Sequence, residues 1–210
     1  MFNDRIEAGT LLAARLLKYK DDKGVVLAVP RGGVPVAYAV ATELGLPVEL
    51  CLTKKIGHPM NKEFAIGAAS LTDYFIDFSE NISDIYIHKE LQRIRLRLRE
   101  MYKKFMHNEE PADLKGKTLL VIDDGMATGN TMLSTIHLLR KSNPAKIVIA
   151  VPVASQSAID KVSKEADEVI TVSTPLYFHG VGAFYKDFQQ VSDEEVLFYL
   201  DNLRHVRKAG

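Results

Sequence analysis

A three-layer α/β/α sandwich around a mostly parallel central sheet is the fold class that this 210-residue sequence predicts. Three observations predict it. Short apolar runs recur along the chain and are continuous rather than alternating, as strands covered on both faces are. Helical patterns lie between the runs, and strand–helix alternation builds parallel sheets. Hydrophobic residues make up 47% and charged residues 26%, the balance of a soluble globular chain that can bury a core. The length suits one domain, so residues 1–210 are expected to fold as a single unit.

The elements follow in chain order. A helix is predicted from Arg5 to Leu17, then a strand at Val25–Val29, a helix from Pro35 to Leu44 and a strand at Leu50–Leu52. The stretch from Lys54 to Asp113 is too long for a simple connection. It contains a candidate antiparallel pair, Ile66–Ala69 with Tyr74–Ile76, and then a long amphipathic helix with Leu91, Ile94, Leu98, Met101, Tyr102 and Phe105 on one stripe. Strands at Thr118–Ile122, Ile147–Val151 and Val169–Val172 alternate with helices at Thr131–Lys141 and Ser155–Glu165. The region from Thr174 to Gln190 is aromatic and glycine-containing and breaks the rhythm.

Composition removes several function classes. Acidic and basic residues number 27 each, so bulk charge gives no reason to expect nucleic acid or an anionic membrane as partner. Cys51 is the only cysteine, which excludes an internal disulfide and a zinc site built on several thiolates. In its strand it reads as a small buried hydrophobe. The histidines, His58, His88, His107, His137, His179 and His205, show no metal-ligand spacing. The residues Met1 to Glu7 lack a signal-peptide core, and no apolar run reaches the ~18 residues of a membrane span. A cytoplasmic location is expected.

The most informative segment is Leu119 to Thr131. Four apolar residues form a strand, Asp123 and Asp124 end it, and Gly125-Met126-Ala127-Thr128-Gly129-Asn130-Thr131 then leads into a helix. Ligands of open α/β sheets bind at the carboxyl ends of strands. Backbone N–H groups at a helix N-terminus suit a phosphate, and Thr128 and Thr131 add hydroxyl donors. Two carboxylates would repel that phosphate, so they are expected to accept hydrogen bonds from sugar hydroxyls or to act through a metal-bound water. The competing motifs fit poorly: Asn130 stands where a P-loop needs lysine, and no Gly-x-Gly-x-x-Gly follows a strand.

This segment resembles the phosphoribosyl pyrophosphate (PRPP) motif of the type I phosphoribosyltransferases over its whole length. The resemblance implies that Asp123 and Asp124 hold the ribose 2- and 3-hydroxyls and that Gly125 to Thr131 wrap the 5-phosphate. It also implies Mg²⁺ held mainly by PRPP itself, with the two aspartates reaching it indirectly. Val29-Pro30-Arg31-Gly32-Gly33-Val34-Pro35 looks like the family's pyrophosphate loop, with Arg31 as its charged member and a non-proline cis peptide expected at Arg31. Lys54 or Lys55 would assist at the pyrophosphate. Residues 29–37, Lys55 to Ala68 and Val181 to Val196 further resemble an uncharacterised group of predicted phosphoribosyltransferases.

Seven basic residues against two acidic ones between His88 and Lys104 suggest that roughly residues 70–113 are the family's flexible lid. Residues 174–190 would be the hood over the base, with Phe178, Val181, Phe184 or Tyr185 against the ring. Ala127 stands where hypoxanthine–guanine enzymes carry an aspartate, so the loop looks more like that of adenine-type members, and Glu63, Asp77 and Glu80 are the candidates for the general base. The expected activity is Mg²⁺-dependent transfer of the 5-phosphoribosyl group from PRPP to a nitrogenous base, with release of pyrophosphate, in nucleotide salvage. A PRPP-binding regulator without transferase activity is the alternative. The partners would be PRPP and a small-molecule base, not nucleic acid or membrane, with a homodimer left open.

Overall fold

The structure, a computed structural model, describes residues 1–20, 22–76, 82–107 and 109–208, the last four by backbone alone. The chain opens with α1 (Arg5–Leu16), which starts at Asp4 because that carboxylate accepts the Glu7 N–H at 2.8 Å. β1 (Gly24–Ala28) and α2 (Gly33–Leu44) follow, and α2 stops at Gly45, whose φ of 66° suits glycine. β2 is Val48–Leu50, two residues earlier than the predicted Leu50–Leu52. Cys51 lies just past it, its N–H donating to the Ala28 carbonyl at 2.8 Å.

The inserted stretch forms β3 (Lys54–Gly57), β4 (Ala65–Ala69), β5 (Tyr74–Ile76) and the long helix α3 (Asp84–Met106). The antiparallel pair is where the sequence predicts it, and β3 joins as a third strand. The chain then runs through β6 (Thr118–Ile122), α4 (Asn130–Arg140), β7 (Lys146–Val153), α5 (Gln156–Val162), β8 (Glu168–Ser173) and α6 (Asp193–Lys208). α6 is not among the helices that the sequence predicts. Its start is a reciprocal cap in which Ser192 Oγ accepts the Glu195 N–H at 3.1 Å and the Glu195 carboxylate accepts the Ser192 N–H at 2.7 Å.

The five-stranded main sheet is ordered β2-β1-β6-β7-β8 with every neighbour parallel. Alternate residues divide it into two cores. Val26, Ala28, Leu120, Ile122, Val148 and Ala150 pack with α1, α2, α3 and α6, while Val25, Leu27, Leu119, Val121, Ile147 and Ile149 pack with α4 and α5. Both faces are therefore covered, which explains the continuous apolar runs. α1 and α2 touch closely at Gly9, where a Cβ would stand 2.7 Å from the Val36 carbonyl oxygen.

This strand order locates the site. The chain leaves β1 toward β2 on one side and returns to β6 on the other, so the loops after β1 and β6 diverge and open a crevice at the carboxyl edge.

Candidate functional site

The two loops at that crevice are the two phosphate-type motifs. Asp123 and Asp124 leave β6, and Val29 to Gly33 leave β1, joined to it by the Val29 N–H donating to the Ile122 carbonyl at 2.9 Å. The Pro30–Arg31 peptide bond is cis. Gly32 and Gly33 are needed for close approach. A Cβ on Gly32 would fall 2.1 Å from Asp124 Oδ2, and one on Gly33 would fall 2.6 Å from the Ile122 carbonyl oxygen.

Burial, and then the neighbouring Asp124 charge, push the Asp123 carboxyl well above the usual carboxylate range. Burial also raises Asp124, but Arg5 opposes it. The Nε and Nη2 atoms of Arg5 both lie 2.9 Å from Asp124 Oδ2. Arg5 lies at the start of α1 and is not among the site residues that the sequence predicts. A signal existed: a cation in the first helical turn opposes the helix dipole and needs another reason to be there.

Among the described residues, the loop after the aspartates presents backbone donors that no protein group takes up, the N–H groups of Ala127, Thr128 and Gly129. Gly129 sits at φ 74° at the foot of α4. Ser155, the cap of α5, donates its hydroxyl to the Ala127 carbonyl at 2.7 Å and so braces the loop. Thr128, Asn130 and Thr131 are exposed, and Lys161 of α5 bonds the Asn130 side chain. Met126 is a correction to the expected phosphate ligands. Its side chain is core, and its N–H is engaged with the Val153 carbonyl at 2.9 Å. Cys51 lies beneath, its thiol pushed up to about 12 by burial and by Asp123 and Glu49.

Arg31 faces an open cavity of about 570 Å³ that it shares with Arg5, Gly32, Met101, Asp124 and Phe188. Its Nε is 2.7 Å from Asp193 at the start of α6, and Lys104 of α3 reaches the other oxygen of that carboxylate at 2.6 Å. Met101, expected on the buried stripe of α3, is 38% exposed and lines this cavity. Lys54 and Lys55 instead open β3 and do not line it; Lys55 pairs with Glu63 at 2.7 Å. A second cavity, of about 400 Å³, lies beside β2 between Leu27, Tyr102 and Leu139 and contains none of the phosphate-loop residues.

Two other expectations change. Leu91, Ile94, Leu98, Tyr102, Phe105 and Met106 bury α3 in the main core, so the body of the expected lid is a structural wall here. Glu63 is exposed and Lys55 holds its carboxyl below the usual range, which unsuits it as a base near neutral pH. Asp77 and Glu80 lie outside the described residues.

The aromatic segment caps the crevice. The chain start pairs with it: the Phe2 N–H donates to the Phe184 carbonyl at 2.8 Å, and the Lys186 and Asp187 N–H groups donate to the Phe2 and Asn3 carbonyls at 2.9 Å each. Val181 presses on Gly125, where a Cβ would lie 2.5 Å from its Cγ1. Phe178 and Phe184 are half-buried and pack on each other at 5.3 Å. Tyr185 is buried between Phe2 and Phe188, and its hydroxyl donates to the Asp124 carbonyl at 2.6 Å, so its ring serves packing rather than a base. The ring that lines the cavity is Phe188, which was not singled out from the sequence.

Among the described residues no group of three or more histidines, cysteines or carboxylates could enclose a metal ion. The donor set of two adjacent aspartates, one clamped by arginine, fits a cation carried largely by its own phosphate and hydroxyl ligands. No helix of the described residues is long and apolar enough to cross a membrane.

Residues 4–188 match the family described as the phosphoribosyl transferase domain. A Mycobacterium tuberculosis H37Rv protein named "Putative phosphoribosyl transferase" is 34% identical over the whole chain, which covers 49% of that protein. The chain thus spans about half the length of the curated relatives it matches. A ribose-phosphate pyrophosphokinase of Pyrococcus furiosus is 28% identical over 70% of this chain and 63% of its own length. The crystal structure of TT1426 from Thermus thermophilus superposes with a TM-score of 0.86 at 37% identity, covering 97% of this chain and 99% of that one.

Proposed function

The chain belongs to the phosphoribosyl transferase domain family, and from that premise we propose that it binds PRPP across its two crevice loops and transfers the 5-phosphoribosyl group to a nitrogenous base, releasing pyrophosphate. The observation that carries this is the packing of Gly32 against Asp124, which brings the arginine–glycine loop and the acidic pair within reach of one small ligand.

The residues divide the work. Asp123 and Asp124 accept from the ribose hydroxyls, and the Asp124 charge, supported by Arg5, favours the oxocarbenium-like ribosyl as it forms. The N–H groups of Ala127 to Gly129 and the hydroxyls of Thr128 and Thr131 hold the 5-phosphate. Arg31, beside Gly32 and Gly33, receives the pyrophosphate as the anomeric C–O bond breaks and its electron pair leaves with the oxygen. The acceptor nitrogen attacks from the opposite face, inverting that carbon. Mg²⁺, when bound, would neutralise charge on the pyrophosphate oxygens. Phe188, already covered by the Arg5 guanidinium, contributes apolar wall to the cavity that would take the acceptor.

Ala127 cannot exchange a proton with a 6-oxopurine. Such proton handling contributes ~10²–10⁴ in rate, so adenine or a base outside hypoxanthine and guanine should be the better acceptor. The test is pyrophosphate release from Mg²⁺–PRPP with adenine, hypoxanthine, guanine, uracil and orotate, compared as kcat/KM. Hypoxanthine or guanine ahead would overturn the acceptor assignment. Tight PRPP binding without turnover of any base would favour a PRPP-binding regulator.

A further inference from the structure

We propose that Arg5 is a positioning residue that sets the orientation of Asp124 and makes it depend on docking of the aromatic 184–189 segment. The geometry is specific. Both guanidinium contacts go to a single carboxylate oxygen, Oδ2, at 2.9 Å each. That oxygen is also pressed against Gly32, where no side chain would fit. The other oxygen, Oδ1, has no donor from another residue among those described, and Asp124 lines the open cavity. Arg5 thus divides Asp124 into one held oxygen and one available oxygen.

The same guanidinium reaches the cap. Nη1 donates to the Gln189 carbonyl at 2.9 Å, and the group lies 3.9 Å from the centre of the Phe188 ring. Tyr185 holds the main-chain carbonyl of Asp124 from the same segment. Asp124 is therefore tied to the cap through both its side chain and its backbone. The Arg5 and Asp124 side chains are 11% and 15% exposed, so loss of Arg5 would leave a largely buried carboxylate charge without its partner. A carboxylate already held in one orientation also loses less freedom when a ligand binds.

The ligand half of this proposal rests on the PRPP reading, so the test has two arms. The first uses no ligand. Hydrogen exchange is followed at the Lys186 and Asp187 amides in wild type, Arg5→Met, Asp124→Asn and the double variant. Each single change should speed exchange, and the double should do so no more than the stronger single. The second arm measures the Kd for Mg²⁺–PRPP. Arg5→Met should weaken binding about tenfold, Arg5→Lys less, and the double variant no more than Asp124→Asn alone. Wild-type PRPP affinity in Arg5→Met, or losses that add fully in the double variant, would overturn the proposal. If wild type binds no PRPP, the functional reading falls, and unchanged amide exchange in both single variants would then overturn the coupling by itself. Should Arg5→Met fail to fold, Arg5→Lys carries both arms.

Discussion

The acidic pair and Gly32 concentrate the consequences of single atoms. Replacing Asp123 and Asp124 with Asn removes two carboxylates that burial already makes costly to charge and turns one acceptor oxygen of each into a donor. The fold should persist and PRPP binding should weaken at least ~10-fold, about 1.4 kcal/mol; equal affinity by titration calorimetry would refute the sugar-binding role. Gly32→Ala reaches the same carboxylate by steric means, because its Cβ would overlap Asp124 Oδ2. The carboxylate must then leave Arg5, and PRPP affinity should fall by a similar factor while the circular dichroism stays native. Asp123, Asp124, Arg31 and the glycines were legible in the sequence as two separate motifs. Arg5, Asp193 and Phe188 were not, since each acquires its partner from a residue far away in the chain.

At the scale of elements, the short turn that follows α1 is fastened to the far edge of the sheet. Glu168 at the start of β8 receives Lys18, Tyr19 at 2.6 Å and Lys146 at 2.9 Å. Burial alone would raise this carboxyl, yet the three donors outweigh it and hold it down to about 2. Its ordinary value is 4.5, so the folded state binds its proton less readily than the unfolded state does. The resulting stability is present above that value and is lost as pH falls from 4.5 toward 2. Glu168→Gln should therefore cost about 2 kcal/mol at pH 7, allowing for partial exposure, and the gap in unfolding free energy from wild type should close in acid. A gap that is constant with pH would mean that Glu168 acts through packing instead. Apolar runs exposed nearly every strand at this scale, but β2 was placed late because Cys51 and Leu52 stay buried beyond the ladder. α6 is not predicted because its start signal, the reciprocal Ser192–Glu195 cap, follows directly on the irregular aromatic stretch.

For the whole molecule, the large insertion is divided between a small sheet and a core helix. The amphipathic period of α3 identified a helix, yet period alone does not say which body the stripe packs on. Its charge density suggested a moving cover, whereas Leu91 to Met106 is built into the main core. In hydrogen exchange, amides from Leu91 to Phe105 should be slow and should change little on adding Mg²⁺–PRPP, with any ligand-dependent slowing falling within residues 54–90. Marked slowing confined to 91–105 would restore the lid to that helix.

Local physics, read along the chain, determined the layered α/β class, and it marked the small-residue loops after β1 and β6 and the acidic pair as the candidate site. Burial on two faces leaves continuous apolar runs, and a loop that approaches a phosphate needs small residues in succession. Tertiary structure alone decided that these loops share one crevice, that Arg5 from the chain start grips Asp124, and that Tyr185 is core while Phe188 faces the cavity. Those choices depend on strand order and on contacts spanning more than a hundred residues, as between Arg5 and Asp124, and no periodicity or local spacing encodes which distant partner closes such a contact.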